Sequence, residues 1–87
     1  GFCEPGEGPD LVASQRTAPG GDFPLNTNGG GLSYTHPGMY GIFTVVEAAR
    51  QLRGQAGERQ LEDCNLAVAH GTGGLLSSTG TVVLGAN

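Results

Sequence analysis

The sequence predicts an α/β fold with a mixed sheet, in the order strand, loop, buried helix, strand, strand. Three observations carry that prediction. An apolar run at residues 37–53 (PGMYGIFTVVEAARQLR) opens on a proline and is followed by Gly54. Two apolar, β-type runs, Asn65–His70 and Leu75–Leu84, lie on either side of the glycines of Gly71–Gly74. A short extended segment, Phe23–Leu25, precedes a glycine loop at residues 26–36. A helix between two strands of one sheet implies a parallel pair with a right-handed crossover. The terminal hairpin then adds an antiparallel strand.

The elements can be justified in chain order, with residues 1–87 taken as one domain. Residues 1–22 are polar and rich in glycine and proline. They read mostly as loop, with a short strand at Asp10–Ser14. Residues 23–36 form a short strand and the glycine loop, Pro24 placing that strand at an end or edge. Pro37 suits the first helical position, where its missing N–H would have no intrahelical partner. Thr35 or His36 is the expected cap. Arg50 and Arg53 fall in the last turn, where cations complement the dipole, and Gly54 is the expected stop.

Met39, Tyr40, Ile42, Phe43, Val45, Val46, Ala48, Ala49 and Leu52 cover most of the helix circumference. An amphipathic surface helix would show one stripe. A helix apolar nearly all round is expected to be buried on several sides, and 87 residues scarcely provide that cover. The missing cover is expected from another domain or subunit. Residues 64–85 complete the domain as the terminal strand pair, with the reversal at Gly71–Gly74.

Composition narrows the function classes. The net charge is −4 and there is no lysine, the cations being Arg16, Arg50, Arg53 and Arg59. That balance gives no electrostatic case for nucleic acid or an anionic membrane. No run approaches the roughly 20 apolar residues of a membrane span. There is no visible signal peptide. The absence of an initiator methionine suggests a piece of something longer. Cys3 and Cys64 fit reduced, structural thiols in a cytoplasmic protein better than a disulfide framework. The two histidines and two cysteines lack structural-zinc spacing, so no metal is expected.

The stretch 26-NTNGGGLSYTHPGMYG-41 concentrates the chemistry. A glycine loop that opens a helix can bind phosphate. Here it lacks the G-K-[ST] of a P-loop and does not match the dinucleotide fingerprint. Ser33 and His36 stand without the G-x-S-x-G elbow of a hydrolase. The candidate catalytic residues are His36, Tyr34, His70 and Tyr40. Asn26, Gly29, Gly30, Gly71, Thr72 and Gly73 are candidates for a substrate and oxyanion loop. Each has a structural alternative. His36 would be a helix cap, Tyr34 and Tyr40 packed aromatics, His70 a hydrogen-bonded residue at a strand end, and the glycines tight turns.

The set NTNGGG…HP…G, then VVEAARQLRG, then HGTGG before a last strand, resembles the C-terminal part of thiolase-superfamily enzymes. The similarity is strongest to the thiolase-like lipid-transfer-protein branch, with its sterol-carrier-protein-x thiolases and steroid side-chain aldolases. In that superfamily an N-x-N-G-G loop leads to a G-H-P motif, and Asn26 and His36 keep the spacing. The later C-x-G motif falls on His70–Thr72. The resemblance implies a fragment of the thiolase C-terminal domain. It implies that His36 reaches an acyl-CoA site and helps bind the thioester oxygen, held by Pro37 and approached through glycine. Donors preorganised at such an oxygen often contribute a few kcal/mol to transition-state stabilisation.

Two departures direct the reading. Thr35 replaces the glycine before the histidine, and His70 replaces the cysteine of C-x-G. Losing that acid/base thiol weakens reversible Claisen chemistry and favours a retro-aldol reaction. That reaction needs a base for a β-hydroxyl proton, a role assigned to Tyr34 if its phenol is lowered from about 10, with Tyr40, one turn beyond His36, as the alternative. The resemblance therefore implies retro-aldol cleavage of a β-hydroxyacyl-CoA in steroid or lipid side-chain degradation. Thiolase acyl transfer, or non-catalytic lipid or acyl-CoA binding, are the alternatives. The coenzyme A thioester is then substrate, and no tightly bound cofactor is expected. By the same resemblance, the partners are the rest of the thiolase-like fold, a second copy in a homodimer and a small protein with an OB-fold and a zinc ribbon. The 87-residue chain alone is expected to be inactive.

Overall fold

A computed structural model describes residues 1–87. Three helices, α1 (Gly8–Ala13), α2 (Gly30–Ser33) and α3 (Gly41–Leu52), precede a 3-10 turn at Gly57–Arg59 and two strands, β1 (Leu66–Gly73) and β2 (Ser78–Gly85). The strands form one antiparallel sheet with Leu66 opposite Gly85, His70 opposite Thr81 and Gly73 opposite Ser78. α3 packs against β1, and the small side chains Ala48 and Ala69 are buried there.

The N-terminal part departs from the sequence expectation. Asp10–Ser14 is not a strand; α1 occupies it. Pro9 stands in the first helical turn with Asp10, an arrangement that favours a helix start. Ser14 ends it by donating its hydroxyl to Leu11 O at 2.6 Å. Phe23–Leu25 does not join the sheet either. Its N–H groups turn back locally, Phe23 N to Arg16 O at 3.0 Å and Leu25 N to Thr17 O at 3.1 Å. The sheet within this chain is therefore antiparallel rather than mixed, because the donors that would face a parallel neighbour are used within the segment. Gly21 permits the fold-back, since a Cβ there would overlap the Arg16 carbonyl.

α3 starts at Gly41, and neither Thr35 nor His36 caps it. Residues 38–40 form a turn instead, Phe43 N donating to Tyr40 O at 2.8 Å. Gly38 and Gly41 weaken the first turn by their conformational entropy, which outweighs the proline start signal. The C-terminal end follows the sequence. Gly54 has φ +67°, its N–H bonds Gln51 O, and Gln55 N bonds Arg50 O at 2.8 Å. That is a Schellman cap.

The strand reversal lies beyond the expected place. Gly71–Gly73 belong to β1, and the chain turns at residues 74–77. Gly80 and Thr79 oppose Gly71 and Thr72, so small residues on both strands extend the ladder past the histidine. Gly74 (φ +65°) and Leu76 (φ +60°) supply the left-handed positions of the turn.

α3 is buried on one side only within this chain. The residues buried on it are Glu47, Ala48 and Gln51. Met39 just ahead of it is 82% exposed, Ile42 on it 59%, and Val83 on β2 65%. The side chains of a helix apolar nearly all round thus remain uncovered where this chain offers no partner. No helix is long and apolar enough to cross a membrane.

Candidate active site

The glycine loop is a corner of left-handed residues. Asn26 (φ 49°), Gly29 (φ 104°) and Gly30 (φ 67°) all adopt positive φ. For Asn this is tolerated because its side chain is short and polar. Asn28, which the sequence reading did not single out, organises the corner. Its Oδ1 accepts the Gly30 N–H at 2.9 Å and the Tyr40 hydroxyl at 3.2 Å. The loop is thereby pinned to the turn that enters α3. An Asn directly ahead of a run of three glycines is the signal that could have found it.

His36 lies over Gly31. A Cβ at Gly31 would meet His36 Cδ2 at 2.7 Å, so only glycine leaves room for the ring. The imidazole also runs nearly parallel to Tyr40, with centroids 6.5 Å apart and planes at 19°. His36 is exposed, as is His70.

His70 comes from the middle of β1. Its Nδ1 is 2.8 Å from the hydroxyl of Thr81, the residue opposite it on β2. Its Nε2 is 3.4 Å from the Thr72 hydroxyl. A threonine hydroxyl serves either tautomer, because it both donates and accepts. The ring is thus oriented through both of its nitrogens in either tautomer.

These groups converge on one cleft of about 690 Å³. Asn26, Gly30, His36 and Tyr40 line it from the loop and the start of α3. His70, Gly71, Thr72 and Gly73 line it from β1. Gly71 faces Gly41 across the cleft floor, where a Cβ on Gly71 would stand 3.6 Å from Gly41 Cα, in ordinary contact. Tyr34 is not brought in; its ring meets Phe43 edge-on at 5.7 Å. Gly29 also lies outside this cleft.

A larger cleft of about 800 Å³ lies along residues 19–29 and 58–63, Gly29 among its lining. Asp22, Glu58, Glu62 and Asp63 surround it, with Arg59 the cation there. That sign of charge disfavours the phosphates of a coenzyme A substrate. The smaller cleft, with two imidazoles, a phenol and glycine-rich backbone, holds the groups suited to acyl chemistry.

A buried polar cluster was also missed by the sequence reading. Glu47, only 7% exposed, receives Arg59 Nε on Oε1 at 2.9 Å and Arg59 Nη2 on Oε2 at 2.8 Å. Its Oε1 also receives the Thr27 hydroxyl at 2.8 Å and Gln51 Nε2 at 3.1 Å. Gln51 in turn accepts Leu61 N and donates to Arg59 O, both at 2.9 Å. Hydrogen bonding from Arg59 holds the Glu47 carboxyl below its ordinary range; burial opposes this, and Thr27 and Gln51 reinforce it. A carboxylate within the apolar run of α3 was the available signal.

Comparison with known proteins places the chain. Residues 1–86 match the family described as thiolase C-terminal domain-like. An acetyl-CoA acetyltransferase of Methanothermobacter thermautotrophicus is 41% identical over 85% of this chain and 20% of its own length. Non-specific lipid-transfer protein-like 2 of Caenorhabditis elegans is 38% identical over 84% of this chain and 18% of its own length. A steroid side-chain-cleaving aldolase of Thermomonospora curvata is 39% identical over 100% of this chain and 21% of its own length. The chain thus spans about a fifth of the length of these curated relatives. With its glycine loop, α3 and terminal hairpin in the order the motifs require, the chain belongs to the thiolase C-terminal domain-like family.

Proposed function

We propose that this chain is the C-terminal part of an acyl-CoA carbon–carbon bond enzyme that cleaves a β-hydroxyacyl-CoA by a retro-aldol reaction. The observation that carries the reading is the shared cleft of His36, Tyr40 and His70, with His70 standing where thiolases carry the cysteine of C-x-G. Full coverage of this chain by the steroid side-chain-cleaving aldolase supports the same choice.

The steps follow from the groups present. A base takes the β-hydroxyl proton, and the bond between the α and β carbons breaks. The β carbon leaves as a carbonyl, and the electron pair of the broken bond stays on the α carbon and forms the enolate of the shortened thioester. His36 donates an N–H to the thioester oxygen as negative charge develops there. Tyr40, rather than Tyr34, takes the β-hydroxyl proton as its phenolate, having first given up the proton it donates to Asn28, since Tyr40 lines the cleft and Tyr34 does not. His70 returns a proton to the α carbon of the enolate, a role suited to imidazole near neutral pH. The glycine backbone of Gly71–Gly73 lets the acyl chain pass close to β1. The substrate is a coenzyme A thioester of a steroid or fatty side chain, no cofactor takes part, and the protein acts in the cytoplasm. The rest of the thiolase fold covers Ile42 and Val83, and a second copy and an OB-fold, zinc-ribbon protein complete the assembly.

A thiolase reading is favoured by the 41% identity to an acetyl-CoA acetyltransferase. Product analysis separates the two. The full-length protein is incubated with steroid and fatty β-hydroxyacyl-CoAs and the products are weighed by mass spectrometry. A ketone or aldehyde released with a shortened acyl-CoA, without added free CoA, supports the lyase. Cleavage only of β-ketoacyl-CoA, and only with free CoA, supports acyl transfer. Binding of acyl-CoA without turnover of either supports a lipid-binding module.

A further inference from the structure

Thr27 stands between the two asparagines that shape the glycine corner, yet it faces the other way. It lines the acidic cleft alone, while Asn26 lines both that cleft and the cleft of His36 and His70. Its hydroxyl donates to Glu47 Oε1 at 2.8 Å across twenty residues of sequence. Glu47 cannot drift. Arg59 grips both of its oxygens, and Gln51 holds the same Oε1 from one helical turn away. Gln51 is itself fixed by Arg59 O and Leu61 N. The carboxylate is thus a rigid acceptor in the only polar cluster buried in this chain, and it fixes the loop to α3 from behind.

The corner has few other anchors. Asn28 Oδ1 holds Gly30 N–H and the Tyr40 hydroxyl, and Gly29 N donates to Asn26 O at 2.8 Å. The first of these ties the loop to a group that the reaction itself uses. Only Thr27 ties the corner to a residue remote from the cleft.

We infer that Thr27, held by the Glu47–Arg59 pair, is a positioning residue that sets the Asn26–Gly31 corner, and through Gly31 the His36 ring, for reaction. The inference rests on the reading of the His36–His70 cleft as the reacting site. Thr27 touches no substrate; its effect passes through the backbone on which Asn26, Asn28 and Gly31 stand. A charge-assisted hydrogen bond is strong enough for this, being shorter and about twice as strong as a neutral one.

The test uses the full-length protein with Thr27→Val, which keeps the shape and removes the hydroxyl, and Thr27→Ser, which restores a donor. Two measurements are made on each. Amide hydrogen exchange over residues 26–34 reports the loop without reference to any chemistry. Steady-state kinetics on a β-hydroxyacyl-CoA reports the site. Thr27→Val is expected to exchange about tenfold faster in that segment and to lose about tenfold in kcat, with KM within about twofold, because misplacement costs rate more than binding. Thr27→Ser is expected to restore both. Wild-type exchange in Thr27→Val overturns the tether, as does failure of Thr27→Ser to restore it. Faster exchange with unchanged kcat overturns the positioning role. If the wild-type protein turns over no β-hydroxyacyl-CoA, the retro-aldol reading fails by itself, and the exchange data still decide whether Thr27 holds the corner.

Discussion

The two sides of the glycine loop are built on opposite physical terms. On one side, His36, Tyr40 and His70 surround an open cleft and keep exposed imidazole surface. On the other, Glu47 and Gln51 are buried at 7% and 4% exposure and spend their polar atoms on Arg59, Thr27 and neighbouring backbone. No buried side-chain polar atom lacks a partner. The comparison shows how a small piece rich in glycine can hold a loop still. Apolar burial within the chain is limited to small residues such as Ala48, Ala56 and Ala69, so the satisfied polar cluster supplies the order. The side proposed to react can then stay open, with large apolar side chains near it, such as Met39 and Ile42, uncovered within this chain.

The largest break in this comparison comes from the open side. His36→Ala in the full-length protein is expected to lower kcat by roughly 10²–10³, the range for losing one oxyanion donor. KM should move far less, because the contact strengthens mainly in the transition state. An unchanged kcat would place the thioester oxygen elsewhere.

Next come the tyrosines. Tyr40→Phe removes a hydroxyl that lines the cleft and bonds Asn28. It is expected to cost roughly 10² in kcat, as loss of a general base does. Tyr34→Phe, at a ring set edge-on to Phe43 outside the cleft, is expected to stay within a few-fold. The opposite order in the same kinetic assay would return the base role to Tyr34.

The buried side gives a smaller, pH-dependent effect. Arg59 holds the folded Glu47 carboxyl below the ordinary value of 4.5. A carboxyl lowered on folding contributes stability that is fully present above its unfolded value and is lost as pH falls through the folded one. Glu47→Gln should therefore destabilise the protein near neutral pH by about 1–3 kcal/mol, the scale for a charge-assisted bond lost from a buried site. The gap from wild type should shrink as pH falls below 4.5. Urea titrations at several pH values test this; a gap constant with pH would mean that Glu47 is not ionised in its cluster.

How much of this was legible depended on whether the controlling interaction is local. Gly54 as the helix stop, the antiparallel hairpin and the family motifs around His36 and His70 are set by nearby residues, and all are present in the fold. The strand expected at Asp10–Ser14 failed because Pro9 and Asp10 favour a helix start more than the short β-type run favours a strand. The parallel pairing expected of Phe23–Leu25 failed because its donors bond back to Arg16 and Thr17. The turn placed at Gly71–Gly74 gave way to a ladder that small residues on β2 allow to continue. The Glu47 cluster joins Thr27, Glu47, Gln51 and Arg59 from three separate segments, a pairing that no periodicity reveals. The same is true of which tyrosine enters the cleft. Both stand close to His36 in sequence, and only the path of residues 30–40 decides between them.

The most direct test is a crystal structure of the full-length protein with a non-cleavable β-hydroxyacyl-CoA thioester analogue. The account predicts the thioester oxygen within hydrogen-bonding distance of a His36 ring nitrogen, with the β-hydroxyl facing Tyr40 and the α carbon on the side of His70. A thioester seated instead along the acidic cleft of Asp22, Glu58, Glu62 and Asp63, or away from both histidines, would contradict it.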